Sequence, residues 1–343
     1  MKNLLYFCLF FAFASQAQQR ELTKPEASQA ASVMQRIGLT NIVINYHSPL
    51  AKGRTIWGDL VPYNEVWRAG ANENTTISFS SDVKIEGKSL AAGTYGLHMI
   101  PTQKEWTIIF NKNAAAWGSF FYDEKKDALR VTVIPQPAEI QDWLSYTFSA
   151  PQPESVFATL RWEKVSVSFK ISSDVPEVVY QSMRQELTGI NGFFWEGHNQ
   201  AADYCIQHKI HLDDAAKWID ASIGIQKTFA NLNTKSKLLT SEGKQAEADA
   251  LKKEALTLAD ENQLNTYGYN LLGKDKTKEA IEIFRMNVKR YPASWNVYDS
   301  LAEALEKSGD KNGAITNYKT ALSKAPDNQK KRLETTIKKL EGK

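Results

Sequence analysis

The densest group of chemically capable side chains lies between residues 53 and 77. It combines two arginines, three carboxylates and two tryptophans: Arg54, Arg68, Asp59, Glu65, Glu73, Trp57 and Trp67. Tryptophan rings stack on flat ligands, and guanidinium groups form paired hydrogen bonds with anions. We therefore expect a site for a glycan or an anionic fragment. Its candidate residues are Arg54, Trp57, Trp67, Arg68, Asn72, Glu73 and Trp117.

Two other interpretations of this segment stay open. In the first, Arg68 pairs with Glu73, or Arg54 pairs with Asp59, and the tryptophans fill a core. In the second, the carboxylates supply an acid and a base for glycoside cleavage, which needs two carboxyl groups about 5 to 10 Å apart. The catalytic candidates are Asp59, Glu65 and Glu73. The corresponding activity is hydrolysis of envelope or dietary polysaccharide.

Other residues that could do chemistry give weaker signals. His208 and His211 are close in sequence, and His47 and His98 could meet across strands, but neither pair has companion ligands at metal-binding spacing. The nucleotide-binding, nucleophile-elbow and zinc-protease motifs are absent from the sequence. Cys205 lies in an alanine-rich helical segment and is expected to be a small buried residue. We therefore predict no metal and no cofactor.

Composition narrows the classes of partner. The chain has 42 lysines and arginines against 39 acidic residues, which gives a formal charge of +3 over 343 residues. Nucleic-acid binding needs a basic patch or stripe, and these charges are dispersed. Nucleic acid is therefore excluded as an expected partner.

The first 17 residues have the pattern of a signal peptide. Lys2 is followed by an apolar run from Leu4 to Ala14, and Ser15-Gln16-Ala17 has the small residues of a cleavage site. The run is shorter than the roughly 20 residues that span a bilayer. We expect cleavage before Gln18 and an exported protein, periplasmic or secreted, that does not span the membrane.

Residues 18–172 are predicted to form an antiparallel β-sandwich, jelly-roll-like in its many short strands. From about Ser32 to Ser172 apolar residues alternate with polar ones, as in strands with one buried face. Turn residues separate the strands, and no helical period occurs between them. The predicted inward sets include Ile42, Ile44 and Tyr46; Tyr95, Leu97 and Met99; Trp106, Ile108 and Phe110; and Val167, Phe169 and Ile171.

Residues 173–176 read as a linker, and residues 177–343 are predicted to form an all-α solenoid of tetratricopeptide (TPR) repeats. A shift of 34 residues, the length of this repeat, aligns small, aromatic and proline positions. The aligned pairs are Tyr267 and Leu301, Gly268 and Ala302, Leu271 and Leu305, Ala280 and Ala314, Ile281 and Ile315, Phe284 and Tyr318, and Pro292 and Pro326. The amphipathic segment Gln329 to Leu340 is typical of a capping helix.

The front half resembles the exported bacterial family of unknown function DUF2911. The resemblance covers about residues 22–172, and the motifs that carry it are specific to the family. It rests on residues 53–77, 90–95, 105–111, 117–118, 122–123 and 160–164. Since the family has no assigned activity, the resemblance implies no catalytic residue.

Together these patterns predict an exported, non-catalytic binding or scaffold protein. The sandwich would hold a small ligand, with a glycan as the candidate. The concave face of the repeats would dock an envelope protein or peptide, because stacked helix pairs offer extended concave surfaces. The alternatives are the polysaccharide hydrolase and a structural dimerisation element without a ligand.

Overall fold

The computed structural model describes residues 25–342, in two compact units that divide between Val175 and Pro176. That division falls within the segment 173–176, for which the sequence predicts a linker. The signal-peptide prediction concerns residues 1–17 and lies outside the described residues.

The first unit consists of two antiparallel sheets. Their strands are Gln29–Ile37 (β1), Thr40–Ser48 (β2), Thr76–Phe79 (β3), Val83–Ile85 (β4), Lys88–Leu90 (β5), Gly93–Ile100 (β6), Trp106–Asn111 (β7), Asp127–Val133 (β8), Gln136–Gln152 (β9) and Ser155–Ser172 (β10). One sheet has the order β1-β2-β3-β6-β7-β8, and the other has the order β5-β4-β10-β9. Both sheets contribute to one hydrophobic core.

The predicted inward faces are the buried ones. Ile42 and Ile44 on β2, Leu97 on β6 and Phe169 on β10 are fully buried. Each is separated by one residue from its neighbour on the same face, because successive side chains of a strand point to opposite sides. The predicted antiparallel sandwich is confirmed.

The second unit is all-helical. Its helices, the first of which begins at Val175, are Val175–Glu186 (α1), Trp195–His208 (α2), Leu212–Ile225 (α3), Phe229–Ser241 (α4), Gln245–Leu258 (α5), Glu261–Leu272 (α6), Thr277–Arg290 (α7), Trp295–Ser308 (α8), Lys311–Lys324 (α9) and Asp327–Glu341 (α10). Helices α2 and α3, α4 and α5, α6 and α7, and α8 and α9 pack as hairpins, and α10 packs on α9. None of these helices is long and apolar enough to cross a membrane.

The 34-residue period is visible in the helix bounds. Helix α7 covers Thr277–Arg290 and α9 covers Lys311–Lys324, so that both ends are displaced by the repeat length. Phe284 and Tyr318, the aligned aromatic residues, are buried in one continuous core with Leu333 and Ile337 of α10. The predicted TPR-like all-α class of this unit is confirmed.

Candidate functional site

The two tryptophans of the 53–77 segment pack against the core of the sandwich. The Trp57 ring lies 4.7 Å from that of Trp106 and 5.7 Å from that of Trp162, centroid to centroid. Trp67 stacks on Trp162 at 6.0 Å and donates its indole hydrogen to the carbonyl oxygen of Gly70. This is the arrangement expected if the tryptophans fill a core.

Arg54 and Arg68 take different positions. Arg54 donates hydrogen bonds to the carbonyl oxygens of Ala51 and Leu50, so it closes its own turn. Among residues 25–342 Arg68 forms no ion pair with Glu73, and Arg54 forms none with Asp59. Glu73 contacts His47 instead, and Asp59 is exposed.

Arg68 lies instead against the loop that connects β7 and β8. A Cβ atom on Gly118 would be 3.3 Å from Nη1 of Arg68, so the loop backbone packs directly on the guanidinium. Arg68 is partly buried, its Nε has no hydrogen-bond partner, and burial lowers its pKa. A cation in this position favours an anionic ligand, because its charge is not balanced by a carboxylate in the described structure.

The loop that packs on this arginine carries exposed aromatic side chains. Trp117 stacks on Phe120 with ring centroids 5.8 Å apart and an interplanar angle of 11°. Their exposed fractions are 54% and 78%, and that of Phe121 is 67%. Of the predicted ligand residues, Arg68 therefore packs on the loop that carries Trp117. We call Arg68, Trp117, Phe120 and Phe121 the aromatic patch.

Buried polar contacts hold the patch loop in place. Tyr122 donates to Asp127 at 2.7 Å, and Arg130 donates to the same carboxylate at 2.6 Å. His98 lies beneath with its ring 5.2 Å from that of Tyr122. Burial lowers the pKa of His98 to about 4, partly opposed by the charge of Asp127, so the imidazole is neutral at pH 7.

Two further predicted ligand residues, Asn72 and Glu73, belong to a second group. Glu73 Oε2 lies 3.3 Å from Nδ1 of His47, and Glu26 Oε2 lies 3.1 Å from Nε2 of the same ring. Asn72 donates a 2.6 Å hydrogen bond to Glu26. The sequence did not link Glu26 or His47 with this segment, because strand register is needed to bring them together.

Of the three catalytic candidates, Glu73 lies in a cluster with Glu26 and His47. Among residues 25–342 the one group of histidine, cysteine and carboxylate ligand atoms within 4.8 Å of one another is Glu26, His47 and Glu73. Asp59 and Glu65 are exposed and lie outside it. The use of Asp59, Glu65 and Glu73 as an acid and a base stays a prediction.

The helical unit contains a groove of about 700 Å³ formed by α6, α8, α9 and α10. It is lined by Tyr269, Leu272, Gly273, Glu303, Glu306, Lys307, Tyr318, Arg332 and Thr336. Tyr269 donates to Glu303 at 2.5 Å, and Tyr318 donates to Glu306 at 3.1 Å. We call these residues the helical groove.

The groove cations already have partners. Arg332 forms a 2.7 Å ion pair with Asp299, and Lys307 lies 3.3 Å from Asp275. Burial raises the pKa of Asp299, and Arg332 partly offsets this. The second oxygen of Asp299, Oδ1, is buried without a hydrogen-bond partner.

The tyrosines remain neutral donors. Burial and the hydrogen bond to Glu303 raise the pKa of Tyr269 to about 12, and burial and Glu306 raise that of Tyr318 further. A neutral hydroxyl does not balance a carboxylate charge. Glu303 and Glu306 therefore have neutral hydrogen-bond donors, whereas the groove cations Lys307 and Arg332 pair with Asp275 and Asp299.

An antiparallel β-sandwich followed by a TPR-like helical solenoid defines the class of this protein. Residues 28–171 match the family described as "Protein of unknown function (DUF2911)", which confirms the resemblance found in the sequence. No curated protein matches the chain.

Solved structures similar to the chain include MamA and part of a TPR repeat-containing protein. MamA is 15% identical, with 44% of this chain and 88% of that one covered and a TM-score of 0.29. The C-terminal part of a TPR repeat-containing protein from Cytophaga hutchinsonii is also 15% identical, with 44% and 60% covered and a TM-score of 0.30. The chain thus spans less than two thirds of the second structure.

Proposed function

We propose that this chain is an exported binding protein whose helical groove docks a basic segment of an envelope protein. The observation that carries the proposal is the pair of groove carboxylates, Glu303 and Glu306, whose hydrogen-bond donors are tyrosines rather than cations. A lysine or arginine of a partner would supply the missing positive charge.

Asp299, the ion-pair partner of the groove residue Arg332, carries a partly desolvated acceptor. Asp299 Oδ1 is buried without a donor, although the other oxygen of that carboxylate binds Arg332. Because Asp299 already pairs with Arg332, Glu303 and Glu306 are the groove carboxylates left for a cation of a partner.

The shape of the groove favours a chain segment over a small molecule. Its walls come from α6, α8, α9 and α10, so that it runs across more than one repeat. Stacked helical repeats characteristically bind extended peptides along such surfaces. The chain's overall charge of +3 makes nonspecific attraction of a basic peptide weak.

Fluorescence anisotropy with the purified full-length protein tests this proposal. The probe is a labelled Lys/Arg-rich peptide, compared with a peptide in which glutamates replace the basic residues. The variant Glu303→Gln/Glu306→Gln keeps side-chain size and the tyrosine donors but removes both charges. We expect about a tenfold loss of affinity for the basic peptide, equivalent to about 1.4 kcal/mol.

The matched control is Glu334→Gln, on the exposed surface of α10 outside the groove residues. It removes one acidic charge from the same unit and is expected to change affinity less than twofold. Equal losses in the groove variant and the control, or no preference for the basic peptide, would refute the proposal.

The aromatic patch supports a second candidate function, binding of an acidic glycan fragment. Arg68 offers an unbalanced cation, and Trp117 and Phe120 offer exposed ring faces on which the apolar face of a sugar stacks. Titration of soluble peptidoglycan fragments into the protein measures this binding. Arg68→Ala is expected to abolish it, whereas Arg36→Ala, an exposed arginine on β1, leaves it unchanged. Unaltered binding by a folded Arg68→Ala variant would exclude the patch.

A further inference from the structure

A histidine held between two glutamates lies at one edge of the sandwich. Each ring nitrogen of His47 lies close to a carboxylate oxygen, Nε2 3.1 Å from that of Glu26 and Nδ1 3.3 Å from that of Glu73. The three residues come from separate segments: one precedes β1, one is on β2, and one precedes β3. Their convergence is therefore a product of the fold rather than of sequence proximity.

The charges of this cluster do not balance. The ion pairs of Glu26 and Glu73 within the described chain both go to His47, with no lysine or arginine at either carboxylate. The imidazole neutralises at most one negative charge, and only when it is protonated. At least one negative charge therefore remains for a cation to neutralise.

A buried acceptor beside the cluster also lacks a partner. Asn74 lines the same cavity of about 440 Å³ as His47 and Glu73. Its side chain is 7% exposed, and its Oδ1 has no hydrogen-bond donor, although Nδ2 donates to the carbonyl oxygen of Asn113. Asn74 therefore adds a polar side chain to the wall of the cavity that His47 and Glu73 line.

The scaffold beneath the cluster is closely packed. A Cβ atom at Gly70 would lie 2.5 Å from Thr75 Oγ1 and 3.3 Å from the carbonyl oxygen of His47, so this segment lies directly against β2. The carbonyl oxygen of the buried Ala69 accepts hydrogen bonds from Thr75 and Tyr146. These contacts fix the backbone that presents Glu73 to His47.

We propose that Glu26, His47 and Glu73 bind one divalent transition-metal ion, for which Zn²⁺ is the representative probe. An imidazole nitrogen with carboxylate oxygens is a donor set that suits Zn²⁺, whereas Ca²⁺ and Mg²⁺ prefer oxygen ligands alone. Three protein ligands leave a coordination position for water or a ligand, as in open zinc sites. Asn72 orients Glu26 through its hydrogen bond, the role of an outer-shell partner.

Calorimetric titration of ZnCl₂ into the chelator-treated, full-length protein tests this site. We expect one equivalent of Zn²⁺ to bind and to raise the melting temperature of the protein. Glu26→Gln/Glu73→Gln retains side-chain size at two exposed positions and is expected to weaken Zn²⁺ binding by about 100-fold or more, because removing even an outer-shell partner costs about 10 to 100-fold. His47→Ala is expected to abolish binding.

Matched controls separate this cluster from other side chains with the same chemistry. Glu65→Gln changes an exposed carboxylate of the same segment, and His208→Ala changes an exposed histidine of the helical unit. Both controls are expected to bind Zn²⁺ as the unmodified protein does. Circular dichroism identifies any variant that fails to fold. If His47→Ala does not fold, the Glu26→Gln/Glu73→Gln variant provides the test.

Three results would overturn the proposal. The first is the absence of Zn²⁺ binding by the unmodified protein. The second is Zn²⁺ binding that survives in the folded Glu26→Gln/Glu73→Gln variant or disappears in the His208→Ala control. The third is tighter binding of Ca²⁺ than of Zn²⁺, which would contradict coordination by the imidazole.

Discussion

Replacing Gly268 with alanine is expected to disrupt the packing of α6 against α7. A Cβ atom at this position would lie 2.6 Å from two ring atoms of Phe284, closer than nonbonded carbon atoms approach. Phe284 is fully buried, and its ring also packs against Tyr269 at 5.3 Å. The ring cannot move away without displacing its own neighbours, because protein interiors are close-packed.

Two opposing effects set the size of the change. Overpacking a core by one methyl group costs about 1–3 kcal/mol, whereas replacing a helical glycine with alanine gains about 0.5–1 kcal/mol of helix propensity. Gly224→Ala provides a measure of the second effect alone, since nothing lies within 4 Å of its new Cβ atom on α3. The difference in stability between the two variants is therefore about 1–3 kcal/mol, with Gly268→Ala the less stable.

Urea unfolding followed by circular dichroism at 222 nm measures this difference for the helical unit. The signal is fitted with a separate transition for each unit, because the chain contains two compact units. A Gly268→Ala variant as stable as Gly224→Ala would refute the close packing of the repeat hairpin.

Three further predictions concern individual side chains of the two units. The folded-state pKa of His98, about 4, lies below the usual value of 6.5, so the unfolded chain binds more protons and the free energy of unfolding of the sandwich falls by about 2 kcal/mol between pH 7 and pH 5. Urea unfolding at both pH values should show this fall in the unmodified protein and not in His98→Asn. Equal falls in both proteins would contradict the prediction. Burial raises the pKa of the Cys205 thiol to about 11, so iodoacetamide should label this thiol at pH 8 only after unfolding. Rapid labelling of the native protein, detected by mass spectrometry, would contradict the burial of Cys205. Trp117→Ala/Phe120→Ala removes only exposed side chains and should change the free energy of unfolding by less than about 1 kcal/mol in denaturant titration; a larger loss would show that the aromatic patch is structural.

Hydrophobic periodicity predicts the fold wherever an element is long enough for its pattern of apolar residues to repeat. The faces of β2, β6 and β7 were readable because each places at least three inward residues at alternate positions. The repeat hairpins were readable because α7 and α9 share one pattern. Strands β4 and β5 have three residues each, too few to show a period.

The long strands β9 and β10 contain irregularities that alternation does not predict. Their pairing shifts register between Arg161 and Glu163 and again between Glu163 and Val165. Glu163 has a φ of 54°, a left-handed conformation that few side chains other than glycine adopt readily. Such a bulge depends on contacts across the sheet, so a single strand's sequence does not reveal it.

The candidate sites depended on three-dimensional proximity more than the fold did. Arg68 and Trp117 are separated by 49 residues and meet because the loop between β7 and β8 packs on the 53–77 segment. Glu26 reaches His47 only through the pairing of β1 with β2. The tryptophans were recognisable by type, but their packing on Trp106 and Trp162 depends on the sandwich.

Amide hydrogen exchange with and without the Lys/Arg-rich peptide is the most direct test of the docking function. The helical groove should gain protection on peptide addition, with the largest effect in the peptides covering α6, α8 and α10, and the Glu303→Gln/Glu306→Gln variant should lose that gain. Protection confined to the sandwich, or spread evenly over all helices, would contradict docking at the groove.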